Sequence, residues 1–221
     1  SAWGFWGRRL AEDAFQQLSE GDGESTLAVH RALLDWSRDP PLGAFILSSD
    51  TRGAWEVAGC SADRLVEYCG SARSLQCSVP CGSDTWPVPS DLGLYVDEAS
   101  RKALGDLPVC RHCQSVARPA VQMNLHDWAF SKKRRAAQAA RYYAWLRELA
   151  ARPDAGSLRV VCLALGELAP TARGELVSVM QRFPSARLVS LGVEAADVGN
   201  DDTELSSRGC SMILEPCDAV R

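Results

Sequence analysis

No apolar run in this chain approaches the roughly 20 residues that a helix needs to cross a bilayer, which sets aside a membrane-spanning reading. Excess positive charge is lacking too. Against 24 Lys and Arg stand 28 Asp and Glu, a formal net charge of −4, and this offers no general attraction to nucleic acid or to an anionic membrane surface. There is no internal repeat and no low-complexity tract, which excludes a solenoid or a compositionally biased array. The sequence opens on Ser1 and carries no signal-peptide pattern, so it reads as a trimmed or mature form. What is present, 221 residues with 46% hydrophobic and 24% charged, suits a soluble globular domain, or a domain with a small inserted module.

Cysteine is abundant, at nine residues. Four of them form two close pairs, Cys77-Ser-Val-Pro-Cys81 and Cys110-Arg-His-Cys113. Each pair fits one tight turn, so two thiolates converge locally and one tetrahedral ion can join the two turns across the intervening loop. Four sulfurs leave no open coordination position, which makes such a zinc site structural and not catalytic. The competing readings are four unrelated buried cysteines or two disulfides. His112 lies between two ligands and reads as a solvent-facing turn residue. Cys60, Cys69, Cys162, Cys210 and Cys217 remain; their odd number and spacing suggest no disulfide framework, and a reducing compartment is the expectation.

Along the chain, residues Ser1 to Leu18 read as a helix with Trp3, Phe5, Trp6 and Phe15 for packing. Gly21-Asp-Gly23 breaks it. Ser25 or Thr26 caps a second helix carrying Leu27, Arg31, Leu34 and Trp36, which Pro40-Pro41 stops. Gly43 to Ser48 suits a strand buried on both faces of a parallel sheet. A short helix at Ala54 to Ala58 and a strand at Arg64 to Glu67 follow. Ser131 caps the longest helix, running to Arg152, with Ala136, Ala140, Tyr143, Leu146 and Ala150 on one face. Pro153 and Gly156 end it. Strand Arg159–Leu165, helix Thr171–Gln181, strand Arg187–Leu191 and a last helix within Leu205–Leu214 complete the chain. Strands alternating with helices predict an α/β fold with a parallel, doubly wound sheet. Three segments result: 1–72, a zinc module at 73–117, and 118–221.

In order, these pieces resemble a sirtuin, the family of NAD-dependent protein deacylases, and specifically the bacterial-type branch with an Ala-Trp-Gly-Phe-Trp-Gly segment, here Ala2 to Gly7. His30-Arg-Ala-Leu33 is similar to the family's His-x-Ala-Leu helix. Val66-Glu-Tyr-Cys-Gly-Ser71 is similar to the strand that ends in His-Gly-Ser. The two cysteine pairs are similar to its zinc knuckles. Arg118-Pro-Ala-Val-Gln-Met123 with Asp127-Trp128 resembles the segment after the zinc module, and Val160 through Gly166 to Arg173 resembles the late Gly-rich strand, loop and helix. The resemblance covers nearly the whole chain and implies a Rossmann-like fold with an inserted zinc ribbon.

The departures fall on the cofactor site. The opening strand and Gly-Ala-Gly-x-Ser turn, which would cradle the NAD pyrophosphate at a helix N-terminus, have no counterpart here, so the Rossmann-like domain reads as N-terminally truncated. The loop that would hold the nicotinamide ribose appears as Ser48-Ser49-Asp50-Thr51-Arg52-Gly53, with acceptor-only Asp50 where an amide is expected and Arg52 where an Asp is expected. Cys69 stands where the resemblance implies the catalytic His. A thiol is mostly protonated at neutral pH, unlike an imidazole poised to take a proton. Only Gly166 remains of the late Gly-rich loop, beside Glu167.

The expectation is therefore a non-catalytic, zinc-stabilised, sirtuin-like subunit of a larger assembly, with structural zinc and without NAD. The alternative is a working NAD-dependent deacylase or ADP-ribosyl transferase, with Cys69 as base or nucleophile, Asp50 and Ser49 near the ribose, and Arg118 near the acyl pocket. Trp3 and Trp6 would pack against the absent first strand–helix unit and so leave apolar surface for a protein partner. His126-Asp127 reads as an ordinary loop. The run Lys132-Lys133-Arg134-Arg135 opposes the positive end of its helix, which makes it a candidate contact for an acidic partner. Nucleic-acid binding is not expected, since Arg73 and Arg111 are offset by Asp84, Asp91, Asp97, Glu98 and Asp106.

Overall fold

The computed structural model describes residues 2–11, 22–38, 43–90, 92–153, 161–165, 170–183, 187–191 and 209–212. The chain divides into two compact units, Ser1–Ala144 and Trp145–Arg221.

The first unit opens with helix α1 (Ala2–Ala11) and helix α2 (Asp22–Trp36). Helix α2 begins three residues before the expected cap at Ser25, so Asp22-Gly23 lies inside it and not in a break. Strand β1 (Ile46–Ser48) and helix α3 (Ala54–Val57) follow, then strand β2 (Leu65–Glu67), which pairs in parallel with β1 from Ile46 opposite Leu65 to Ser48 opposite Glu67. All of β2 is buried, whereas β1 is buried only at Ser48; the expectation of a strand covered on both faces belongs to β2. Leu27 of α2 and Ala54 of α3 form a small core with Val57 and Ala58 against them.

Strands β3 (Gly70–Cys77), β4 (Thr85–Pro87), β5 (Tyr95–Val96), β6 (Ala103–Leu104) and β7 (Ala117–Val121) come next. They form an antiparallel sheet in the order β4-β3-β7 and a separate β5–β6 hairpin. Gly70 starts β3 at φ +79°, and a Cβ there would lie 2.0 Å from the Ala120 carbonyl oxygen, so only glycine allows β3 and β7 to close on each other. The core of this region joins Leu75, Trp86, Leu94 and Val121 to Cys77 and Cys110, and it also takes in Trp3 and Trp6 from α1. Here an expectation is corrected. Trp3 and Trp6 are 7% and 8% exposed, packed on the cysteine-bearing module, and they leave no uncovered surface of their own. Burying two indoles stabilises more than any alternative that leaves them in water, by several kcal/mol in the usual bookkeeping.

Helix α4 (Lys133–Ala150) buries Gln138, Tyr142, Leu146 and Leu149, while Ala136, Ala140, Tyr143 and Ala150 face solvent. The expected face is thus rotated, since only Leu146 is shared. Tyr142 stacks edge-on with Phe45 at 5.2 Å and Gln138 bonds to Glu67, and these contacts outweigh the weak claim of alanines to burial.

The second unit contains strand β8 (Val161–Leu165), helix α5 (Pro170–Arg182), strand β9 (Arg187–Leu191) and strand β10 (Gly209–Met212). They form a parallel sheet in the order β10-β9-β8. The last helix expected in Leu205–Leu214 is replaced at Gly209–Met212 by a strand. Gly209 is a poor helix former, and pairing with β9 supplies the backbone hydrogen bonds that a helix would otherwise make. The architecture is a mixed α/β arrangement of small parallel and antiparallel sheets.

Candidate metal centre

The β3–β7 ladder explains how cysteines 29 and 36 residues apart meet. Cys77 ends β3 and lies opposite Ala117, the first residue of β7. One strand therefore runs into the first cysteine turn at the edge where the second turn runs out. Ser78 fastens the two, its backbone N–H and hydroxyl both donating to the Val116 carbonyl at 3.2 and 2.6 Å. The second turn closes on itself through Cys110 N–H to Ser115 O at 2.7 Å, Gln114 N–H to Cys110 O at 3.0 Å, and a bridge between Val109 and Val116.

Sequence spacing and structure agree on the result. The Sγ atoms of Cys77, Cys81, Cys110 and Cys113 all lie within 4.8 Å of one another, with Cys77 and Cys110 buried and Cys81 and Cys113 exposed. The cross-turn contacts Cys77–Cys113 and Cys81–Cys110 are each 3.5 Å. All four are free thiols. A disulfide needs about 2.05 Å between sulfurs, which these separations exceed. Tetrahedral zinc with bonds of about 2.3 Å sets sulfurs about 3.8 Å apart, and an all-sulfur donor set suits a soft metal and not calcium or magnesium. The four cysteines could hold a metal ion such as zinc.

The surroundings favour thiolate on the second turn. The backbone N–H groups of Cys113 and His112 aim at Cys110 Sγ and lower its pKa, the His112 contact measuring 3.4 Å. Ser115, through its hydroxyl and backbone, holds Cys113 down at about 6. Cys81 is pushed up to about 12 by its hydrogen bonds to Cys113 and Cys110, because one proton is shared among crowded sulfurs. Outside the cluster, Arg111 stacks over Trp86 at 5.7 Å. His112 approaches Asp84 at 3.7 Å, and Asp84 also receives Lys133 at 2.8 Å. His112 is thus an outward turn residue and not a ligand.

The residues that the resemblance places near a cofactor are partly gathered. Ser48 O accepts Tyr68 N–H at 2.9 Å and Thr51 O accepts Ala72 N–H at 2.8 Å, so the loop holding Ser49, Asp50 and Arg52 runs beside Cys69. Asp50 is already engaged. Its Oδ1 receives Arg52 Nε at 2.9 Å and its Oδ2 receives the Ala54 N–H, at the start of α3, at 3.4 Å. Cys69 is half-buried, and burial raises its thiol pKa against the lowering effect of Arg135. Gly166 and Glu167 lie outside the described residues. Arg118 pairs with Asp127, whose side chain is 6% exposed and also accepts the Met123 N–H at 2.9 Å. Burial pushes the Asp127 carboxyl up, but these donors outweigh it and hold its pKa below the usual carboxylate range. His126 and Asp127 do not act as a pair.

One network escaped the sequence reading. Glu67, 2% exposed, receives Arg134 at 2.6 Å and Gln138 Nε2 at 3.0 Å, while Gln138 Oε1 accepts the Glu67 N–H at 3.1 Å. Arg134 also reaches Glu56 at 2.7 Å and Ser74 at 3.0 Å, and Arg135 donates to Tyr68 O and Gln122. The basic run at the start of α4 is therefore turned inward at Arg134 and Arg135, while Lys132 and Lys133 are exposed, Lys133 pairing with Asp84 at the surface. A glutamate inside the apolar run Leu65-Val66-Glu67 was the available signal, since a buried carboxylate requires a cation. Compared with known proteins, the chain matches no family model and no curated sequence.

Proposed function

We propose that this chain is a sirtuin-like, zinc-stabilised domain that has lost NAD chemistry and serves as a structural and interaction subunit of a larger assembly. The observation that carries the metal half is the convergence of Cys77, Cys81, Cys110 and Cys113 on one point from two turns held by a single ladder. Those four cysteines would hold zinc, which supplies a fixed tetrahedral cross-link and no reactive position. The loss of cofactor chemistry is supported by Asp50, whose carboxylate is committed to Arg52 and to the N-terminus of α3, and by the raised thiol of Cys69. The parallel pairing of β1 with β2 and of β8 to β10 supports the Rossmann-like reading. Support for a protein partner comes from Trp36, Leu125 and Trp128, which are 70%, 88% and 82% exposed.

Two measurements on the purified chain test this. Elemental analysis should give one zinc per chain. Calorimetric titration with millimolar NAD should give no saturable heat. The second reading, an NAD-dependent deacylase or ADP-ribosyl transferase, is favoured by the backbone bonds that lay the Ser49–Arg52 loop beside Cys69. Saturable NAD binding with deacylation that Cys69→Ser abolishes would establish it and overturn the first.

A further inference from the structure

The packing of α1 depends on the same backbone that holds the cysteine turns. Trp3 Nε1–H donates to the Ala117 carbonyl at 2.9 Å, and this bond is buried. Ala117 is positioned from two sides: it pairs with Cys77 across the β3–β7 ladder, and its own N–H donates at 2.7 Å to the carbonyl of Pro108, which leads into the second turn. The rings of Trp3 and Trp6 lie in one apolar cluster with the side chains of Cys77 and Cys110, one ligand from each turn. On its other flank α1 meets the β5–β6 hairpin so closely that a Cβ at Gly4 would lie 1.9 Å from the Arg101 carbonyl oxygen. A helix of ten residues is marginal alone in water, so α1 persists through this platform.

We propose that docking of α1 is conditional on metal at the cysteine cluster, so that the N-terminal helix acts as a conformational readout of whether the two turns are joined. This rests on the metal reading above. With an ion in place, residues 109–116 are pinned to the end of β3, and the Ala117 carbonyl and the Cys77–Cys110 surface sit where Trp3 and Trp6 need them. Without it, the loop is held to β3 only by local hydrogen bonds and thiol contacts, and the platform loosens. Linkage makes the coupling reciprocal: whatever undocks α1 must weaken the hold on the metal.

The test uses the full chain with zinc alone as the probe. Hydrogen exchange of residues 2–11 is followed before chelation, after metal removal verified by elemental analysis, and after zinc is restored. Protection of α1 should be lost and regained. In parallel, zinc affinity is measured by equilibrium competition with a chromogenic chelator for the wild type and for Gly4→Ala. Alanine is the better helix former, so this variant keeps the helix while the added Cβ blocks docking, and it touches none of the four cysteines. Affinity should fall roughly tenfold, a common coupling strength. This second measurement decides the matter even if chelation unfolds the whole first unit. Unchanged α1 protection in verified metal-free protein, or equal zinc affinities for Gly4→Ala and wild type, overturns the coupling and leaves the metal reading standing. A chain that takes up no zinc overturns both.

Discussion

Gln114 follows the last cysteine of the second turn with φ at +60°. A residue with a β-carbon holds that left-handed conformation at a cost of about 1–2 kcal/mol, and here the conformation is fixed because the Gln114 N–H closes the turn onto the Cys110 carbonyl. The side chain is exposed, so no packing offsets the strain. Gln114→Gly should therefore raise the stability of the metal-loaded protein. Glycine's extra freedom in the unfolded chain cancels part of the gain, leaving about 0.5–1 kcal/mol, and thermal unfolding should show a rise of a few degrees. A lower melting temperature would mean that the glutamine side chain carries a contact that matters more than its backbone. At this scale the sequence was informative where chemistry announces itself by spacing, as in Cys77 to Cys81 and Cys110 to Cys113. It was silent at Gln114, because an ordinary residue in a left-handed conformation leaves no mark in the sequence.

Helix α4 shows how the same run of charges can contain opposite energetics. Lys133 meets Asp84 at the surface, with side chains 65% and 56% exposed, whereas Arg134 meets Glu67, which is 2% exposed. Exposed pairs contribute about 0–1 kcal/mol. Removing one member of a buried pair strands a charge and costs about 3–5 kcal/mol; with Arg134 itself partly solvated, the low end applies. Urea denaturation should find Lys133→Ala within about 0.5 kcal/mol of wild type and Arg134→Ala destabilised by about 3 kcal/mol. Equal effects would mean that Glu67 finds another partner through Gln138 or water. The alternation of elements and the short parallel strands β2, β8 and β9 were readable from apolar runs. The buried face of α4 was not, because its periodic alanines resemble a core stripe while the true inward positions, Arg134, Gln138 and Tyr142, are chosen by distant partners on β2 and at Phe45. The strand at Gly209–Met212 was unreadable for a similar reason, since only its register with β9 makes it a strand.

At the scale of the whole chain, the four clustered cysteines and helix α1 all belong to Ser1–Ala144, while β8, α5, β9 and β10 belong to Trp145–Arg221. A structural metal in a small module supplies on the order of 10 kcal/mol of folding free energy, far more than the antiparallel sheet β4-β3-β7 and the two-residue β5–β6 hairpin could supply by themselves. The second unit has a three-stranded parallel ladder that contains none of the four clustered cysteines. Chelation should then act unevenly. Amide exchange across residues 70–121 should accelerate by orders of magnitude, and a low-temperature unfolding transition should appear by calorimetry. Exchange in Val161–Leu165 and Arg187–Leu191 should stay within a few-fold of its metal-loaded value. The opposite pattern, with both units losing protection together at one metal concentration, would require the metal to hold the entire chain as a single cooperative body. Two turns and one ladder would then be only part of what the ion holds.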